Sequence, residues 1–292
     1  MTEPADRPNI TYLSLITPPP GVEGDALAEL VARMTGLDVH TLKLRLRTPP
    51  PLILGETTRE QAGAGVRAII GAGGDAFAPQ FSHIEAFGSS LKIKDLEPEG
   101  SDSIRIALWR GPECTIRPSG IQLLVRGAVQ IPRAREVRVE RGFGLQGAAV
   151  LGVGGAVAVA AAGAAEGAGA SVGPRQFDSS HRLDIHMTDR NIFQIDGDKF
   201  AYRALGKQRG HSDLVNMDRM LDFLHHLAPN AIVDTYFKNW SPPPSVRFLR
   251  LPDVKLNNEN PTFAFYSRWA ALMYRHVMRK VAPVSPSTSS RA

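Results

Sequence analysis

The feature that most constrains this chain is a run of small residues near its middle. Residues 142–173 are Ala, Gly and Val in the main, with Glu166 as the one charge. Such a run lacks the large side chains from which a core is built, so two folded parts must be assembled on either side of it, or one folded part around it. Within it, residues 147–165 are 19 uncharged positions, close to the roughly 20 that a membrane-spanning helix requires. Nine are alanine and five glycine, against four valines and one leucine. Five strongly apolar residues at about −0.3 to −0.6 kcal/mol each give only about −2 kcal/mol for insertion. A low-complexity loop or linker over 142–176 is therefore the favoured reading, with a weak membrane span as its alternative. Gly152, Gly154 and Gly155 do not make a phosphate cradle, because the third glycine of that motif and a following Gly-Lys-Ser/Thr are both missing.

Before the run, residues 10–17 read as a strand ended by prolines 18–20. Leu27, Leu30, Val31 and Met34 then form a helical stripe that Thr35-Gly36 closes. A second short helix over 39–47 turns Leu42 and Leu46 inward and Lys43, Arg45 and Arg47 outward, and prolines 49–51 stop it. Leu52-Ile53-Leu54 is a buried strand. Thr57 and Glu60 have capping-box spacing at the start of a third helix, and residues 75–79 make another strand. The order over 10–80 is βααβαβ.

Residues 26–79 resemble the C-terminal domain of the bacterial ribosomal stalk protein. The likeness rests on the Thr35-Gly36-Leu37 turn, Lys43, the Pro50 stop, the Thr58-Arg59-Glu60-Gln61-Ala62 helix start and the Ala72-Gly73 end. It implies the same small α/β fold. In that family the first helix offers basic side chains to translation GTPases. Here Glu29 and Ala32 stand where the family carries Lys and Arg, so the fold is carried over and the GTPase contact is not.

Short strands follow at 104–110, 114–116 and 121–129, with a charged edge strand at 135–141. Beyond the run, Leu183, Ile185 and Met187 alternate with Arg182, Asp184 and His186. A strand at 192–195, an Asp196-Gly197-Asp198 hairpin turn and a strand at 199–204 come next. Ser212 reads as the N-cap of a helix to Leu227 whose buried row is Leu214, Met217, Leu221 and Leu224, and residues 231–240 as a second helix. The expected class is α+β. A stalk-like module at 10–80 precedes a mainly antiparallel β domain split over 90–141 and 177–240, pleckstrin-homology-like with a helical cap. A Pro-rich segment and an amphipathic helix fill 241–280, and residues 1–9 and 281–292 read as disordered.

Candidate sites are few. Asp184 and His186 point the same way on one strand and could hold a metal, but a solvated polar face of an amphipathic strand is the favoured reading. His225-His226 suit the negative end of a helix. Cys114 fits a core position, and as the one cysteine it excludes an intramolecular disulfide. On the last helix Arg268, Arg275 and Arg279 share a face, opposite Phe265, Trp269, Leu272 and Met273. Lys43, Arg47, Arg268, Trp269, Arg275 and Arg279 are therefore the candidate partner-binding residues. Residues 1–146 carry 17 basic and 17 acidic side chains, and 147–292 carry 17 and 12, so the whole net charge of +5 lies in the second half.

No catalytic signature occurs, and no cofactor is expected. The leading expectation is a non-catalytic, cytoplasmic adaptor or scaffold for an unknown protein partner. The alternatives are a protein held at a membrane by 147–165 or by the 261–280 helix, where an anionic surface would be the partner, and a metal-dependent hydrolase using Asp184 and His186. No specific nucleic acid is expected, since the basic residues are diluted by acids and no aromatic platform stands out.

Overall fold

The computed structural model describes residues 10–100, 102–132, 177–247 and 260–281. The chain divides into a main unit, Met1–Val129 with Ser180–Ala292, and a second, Gln130–Ser179, of which only the strand ends at 130–132 and 177–179 are described. The expectations for 142–176, the 147–165 span, the 135–141 strand and the two chain ends lie outside the described residues.

The first module has the element order expected from its punctuation: β1 (Thr11–Thr17), α1 (Gly24–Thr35), α2 (Val39–Arg45), β2 (Leu52–Thr57), α3 (Arg59–Gly71) and β3 (Asp75–Phe77). Gly36 ends α1 at φ 71°, a left-handed conformation that favours glycine. The capping box of α3 uses Thr58 and Gln61, one residue on from the pair expected. The strands form a sheet of order β2-β1-β3 in which both neighbours run antiparallel to β1. Alternation along β1 sends Leu13 and Leu15 to a core shared with Leu27, Val31, Leu42 and Ile69. Tyr12 goes to a different core on the opposite face.

That second core belongs to α7 (Pro261–Val281). Its first half is buried on every side from Phe263 to Ala271, so the helix is an internal strut and not a surface cylinder. Each polar group it carries inward has a partner. Trp269 Nε1 donates to Ser14 Oγ at 3.0 Å, Tyr266 Oη to Asp234 Oδ1 at 2.8 Å, and Ser267 Oγ lies 2.7 Å from His186 Nε2. The helix thus ties β1 to strands from the other end of the chain.

Those strands form one seven-stranded sheet of order β10-β7-β8-β9-β4-β5-β6. They are β4 (Leu91–Pro98), β5 (Ile104–Leu108), β6 (Cys114–Ile116), β7 (Ile121–Pro132), β8 (Phe177–Met187), β9 (Ile192–Asp196) and β10 (Ile232–Asp234). The strands that bracket residues 133–176 are neighbours in it. The fold is α+β, as expected. β4 with β5, β5 with β6 and β8 with β9 are antiparallel, but β4 with β9 and β10 with β7 are parallel. The described sheet runs from β10 at one end to β6 at the other.

The helical cap is α5 (Asp213–Leu227), which seats Met217, Met220, Leu221 and Leu224 against Leu183, Ile185 and Ile195. Leu214, expected in that row, is exposed. Ser212 makes no side-chain cap. The side chain of Asn216 instead accepts from Gly210 N at 2.6 Å and donates to Gly210 O. Residues 199–204 do not form a strand, and 231–240 is not a helix. The first leads into a 3₁₀ turn at Arg203–Gln208. The second is β10 followed by a 3₁₀ turn at Tyr236–Asn239, because Ile232 and Asp234 are used by the sheet and the α7 core. The short helices α4 (Phe81–Glu85) and α6 (Pro244–Arg247) complete the described α-helices.

Candidate functional site

The alternation read along β8 is correct, but both of its faces are buried. Arg182, Asp184 and His186 are 3%, 2% and 1% exposed, on the side of the sheet where His186 meets α7. Gln194 Nε2 donates to Asp184 at 2.8 Å, and Arg182 and Lys92 both pair with Asp196 at 3.1 Å. Phe87 meets the His186 ring edge-on. Burial, with Arg275 and Arg268 adding to it, pulls the His186 pKa down to about 3, so the ring is neutral. Asp184 and His186 are thus occupied by neighbours within the core. Among the described residues no group of three metal-ligating side chains occurs.

The partner-binding candidates divide. Trp269 is fully buried and Arg268 nearly so, its Nη2 donating to Gly88 O at 2.7 Å. Neither forms an outer surface, because α7 has sheet on more than one side and its amphipathic stripe is drawn inward. Lys43 is 3.2 Å from Glu29 and 3.4 Å from Asp25, so two acids of α1 neutralise this base of α2. Arg47 is exposed beyond α2. Arg275 and Arg279 alone come together, and they do so in a groove.

Two helical stripes and one strand edge build that groove. On α3 the turns that bury Ala62, Gly65 and Ile69 leave Arg59, Gly63, Val66 and Ile70 on an adjoining face, spaced 4, 3 and 4. On α7 the second half presents Leu272, Arg275, His276, Arg279 and Lys280. Between them runs the chain from Ala76 to Gln80, and His83, Phe87 and Arg190 close one end. The concavity encloses about 740 Å³, the size of a small-molecule or peptide site.

Its charge is one-sided: no Asp or Glu is among the described residues lining it. Lys280 and His276 have a counter-ion just outside, in Asp75, whose carboxyl they hold below its usual pKa against the opposing effect of burial. No described carboxylate lies within ion-pair distance of Arg59, Arg190, Arg275 or Arg279. Arg275 is fixed by Gln122 Oε1 and Met187 O, each at 3.3 Å, with its guanidinium 5.1 Å from the Phe87 ring centroid. Burial lowers its pKa, and the charges of Arg190 and Arg279 add to the effect. Arg190 occupies a left-handed conformation at φ 73°, uncommon for a side chain of this kind. The Asp189 carboxylate, accepting from Asn191 N at 3.0 Å, sets the turn that holds it there. Four arginines thus share one concavity with no described carboxylate among its lining residues.

Sequence reasoning missed Arg59, Arg190 and Lys280. The spacing of Arg59, Gly63, Val66 and Ile70 was the available signal on α3, whereas Arg190 looked like any turn residue. The fold and site together define an α+β protein with a basic groove between two helices. No family model matches the chain, and no curated protein or solved structure matches it. Among the described residues no helix is long and apolar enough to cross a membrane.

Proposed function

We propose that this protein is a non-catalytic adaptor whose basic groove receives an acidic segment of a protein partner. The observation that carries the reading is four arginines, without described counter-ions, converging on a concavity that no described carboxylate lines. The groove has apolar surface from Val66, Ile70 and Leu272 beside its cations, which suits a peptide with mixed side chains better than a bare polyanion. Phe87 is covered by Arg275 and Phe77 by His276, so neither phenylalanine of the groove offers a stacking platform for a nucleic-acid base. A concave site also fits a lipid surface poorly. The stalk-like reading of residues 26–79 accords with a binding module, with the contact moved from the first helix to the α3 side.

The test uses the full chain and a Glu-rich peptide, with single-stranded DNA and anionic vesicles as competitors. Arg190→Glu/Arg279→Glu, both exposed, should weaken peptide binding at least tenfold and leave the melting temperature unchanged. Equal binding by wild type and double variant, or tighter binding of DNA or vesicles, would refute the proposal.

A further inference from the structure

The groove contains a strand edge, and its hydrogen-bond parity can be worked out. Tyr12 N donates to Pro79 O and Phe81 N to Ile10 O, both at 2.9 Å. Thr11 lies opposite Gln80, and Ser14 opposite Phe77. In an antiparallel ladder such bonded positions alternate with outward-facing ones. Residues 77, 79 and 81 therefore bond toward β1, and residues 78 and 80 face away. The N–H and C=O of Ala78 and the N–H of Gln80 point outward, with no backbone partner among the described residues. The Gln80 carbonyl is taken by His83 N at 3.0 Å. Pro79 lacks its N–H on the inner side, so it does not blunt the outer edge as a proline one position away would. Tyr12 O, left without that donor, accepts from Ser14 Oγ at 3.2 Å.

The two walls beside this edge differ. The α3 wall presents Val66 and Ile70, with Arg59 at its first turn, while the α7 wall presents Arg275, Arg279 and Lys280 beside Leu272. Successive side chains of an added strand would point to opposite walls. We infer that the partner segment binds by strand addition at Ala78–Gln80, as a short extended stretch alternating apolar and acidic residues, apolar toward α3 and acidic toward α7. The inference rests on the acidic-partner reading above. It adds what that reading lacks, a backbone register and a sequence pattern for the ligand. Backbone hydrogen bonds would supply affinity and the alternation specificity.

The experiment leaves the protein untouched and alters the peptide. Four acetylated, amidated peptides of equal length are titrated calorimetrically against the full chain. They are an alternating Val-Glu sequence, a block sequence of the same composition, and the alternating sequence N-methylated on every Val or on every Glu. In an added strand only alternate N–H groups face the host edge. The alternating peptide should bind at least tenfold more tightly than the block peptide. One methylated series should lose at least tenfold in affinity, and the other should bind like the parent. Equal binding by alternating and block peptides, or by both methylated peptides and their parent, would overturn strand addition and leave the acidic groove standing. Failure of every peptide to bind would overturn the groove reading itself.

Discussion

His186 allows the packing around α7 to be tested quantitatively. Its ring is enclosed by α7, Phe87 and the sheet, and its pKa falls from 6.5 to about 3, first through burial and then through the charges of Arg275 and Arg268. The unfolded chain titrates this ring near its ordinary value. Between the two values the unfolded state binds more protons than the folded one, so stability falls as the pH falls below about 6.5 and levels off below about 3. At about 1.4 kcal/mol per pH unit, acidification to about pH 4 removes about 3 kcal/mol, a large part of the stability of an ordinary domain. The assay is urea unfolding at several pH values between about 7.5 and 4 for wild type and His186→Gln. Glutamine can still hydrogen-bond Ser267 Oγ but does not titrate. Carboxylates titrate in both proteins and cancel in the difference. The variant should therefore gain about 3 kcal/mol on the wild type between the ends of the range. A stability difference independent of pH would show that the ring titrates normally, and the account of α7 as an internal strut would fall with it.

Other substitutions probe separate parts of the argument. Trp269→Ala removes the largest fully buried side chain and the donor to Ser14, and should cost about 3–5 kcal/mol by chemical denaturation. Gly127→Ala would place a Cβ 2.5 Å from Phe263 and 2.7 Å from Phe237, both aromatic rings in the α7 core, and should destabilise by about 1–3 kcal/mol in the same assay. Asp234 is buried beneath Tyr266, and burial raises its pKa. The stability that protonation supplies is present below the ordinary carboxylate pKa and is lost as pH rises through the raised value. Asp234→Asn should therefore gain on the wild type as pH rises from acid to neutral, in unfolding curves measured across that range. Lys43→Ala should leave the melting temperature unchanged, because its pairs with Asp25 and Glu29 are exposed.

Where local chemistry decides structure, the sequence was readable. Gly36, the prolines after α2 and the Thr58-Gln61 pair are punctuation that acts within a few residues, and the module they delimit has the expected order of elements. The β8 alternation was equally legible, yet its polar side was assigned to water. Period two fixes which residues share a face but not what covers that face. Arg182, Asp184 and His186 face inward because a helix some eighty residues later supplies Ser267, and because β9 and β4 supply Gln194, Asp196 and Lys92. Nothing local to 181–187 contains that information. The parallel β10 escaped notice for the same reason. Three residues after α5 adopt the strand their neighbour β7 imposes, against a pattern that read as helix.

The groove follows from the same non-local logic. Spacings of seven and four put Arg268, Arg275 and Arg279 on related turns of α7, so a sequence treats them alike. The fold does not, since the strut is enclosed up to Ala271 and emerges only afterwards. Arg268 therefore stays inside, where it donates to the Gly88 carbonyl, while Arg275 and Arg279 reach the groove beside α3. What sorts three equivalent arginines is the depth to which one helix penetrates between two sheets. The groove exists because the last turns of α7, held to β3 through Asp75 and Phe77, and the outer stripe of α3 line one concavity with that strand. Shortening α7, for example by ending the chain after Arg275, would leave the core residues 263–273 in place and remove His276, Arg279 and Lys280 from one wall. A chain so shortened should fold with slightly reduced stability and lose acidic-peptide affinity by at least tenfold. If it kept that affinity, the anionic partner would have to sit elsewhere.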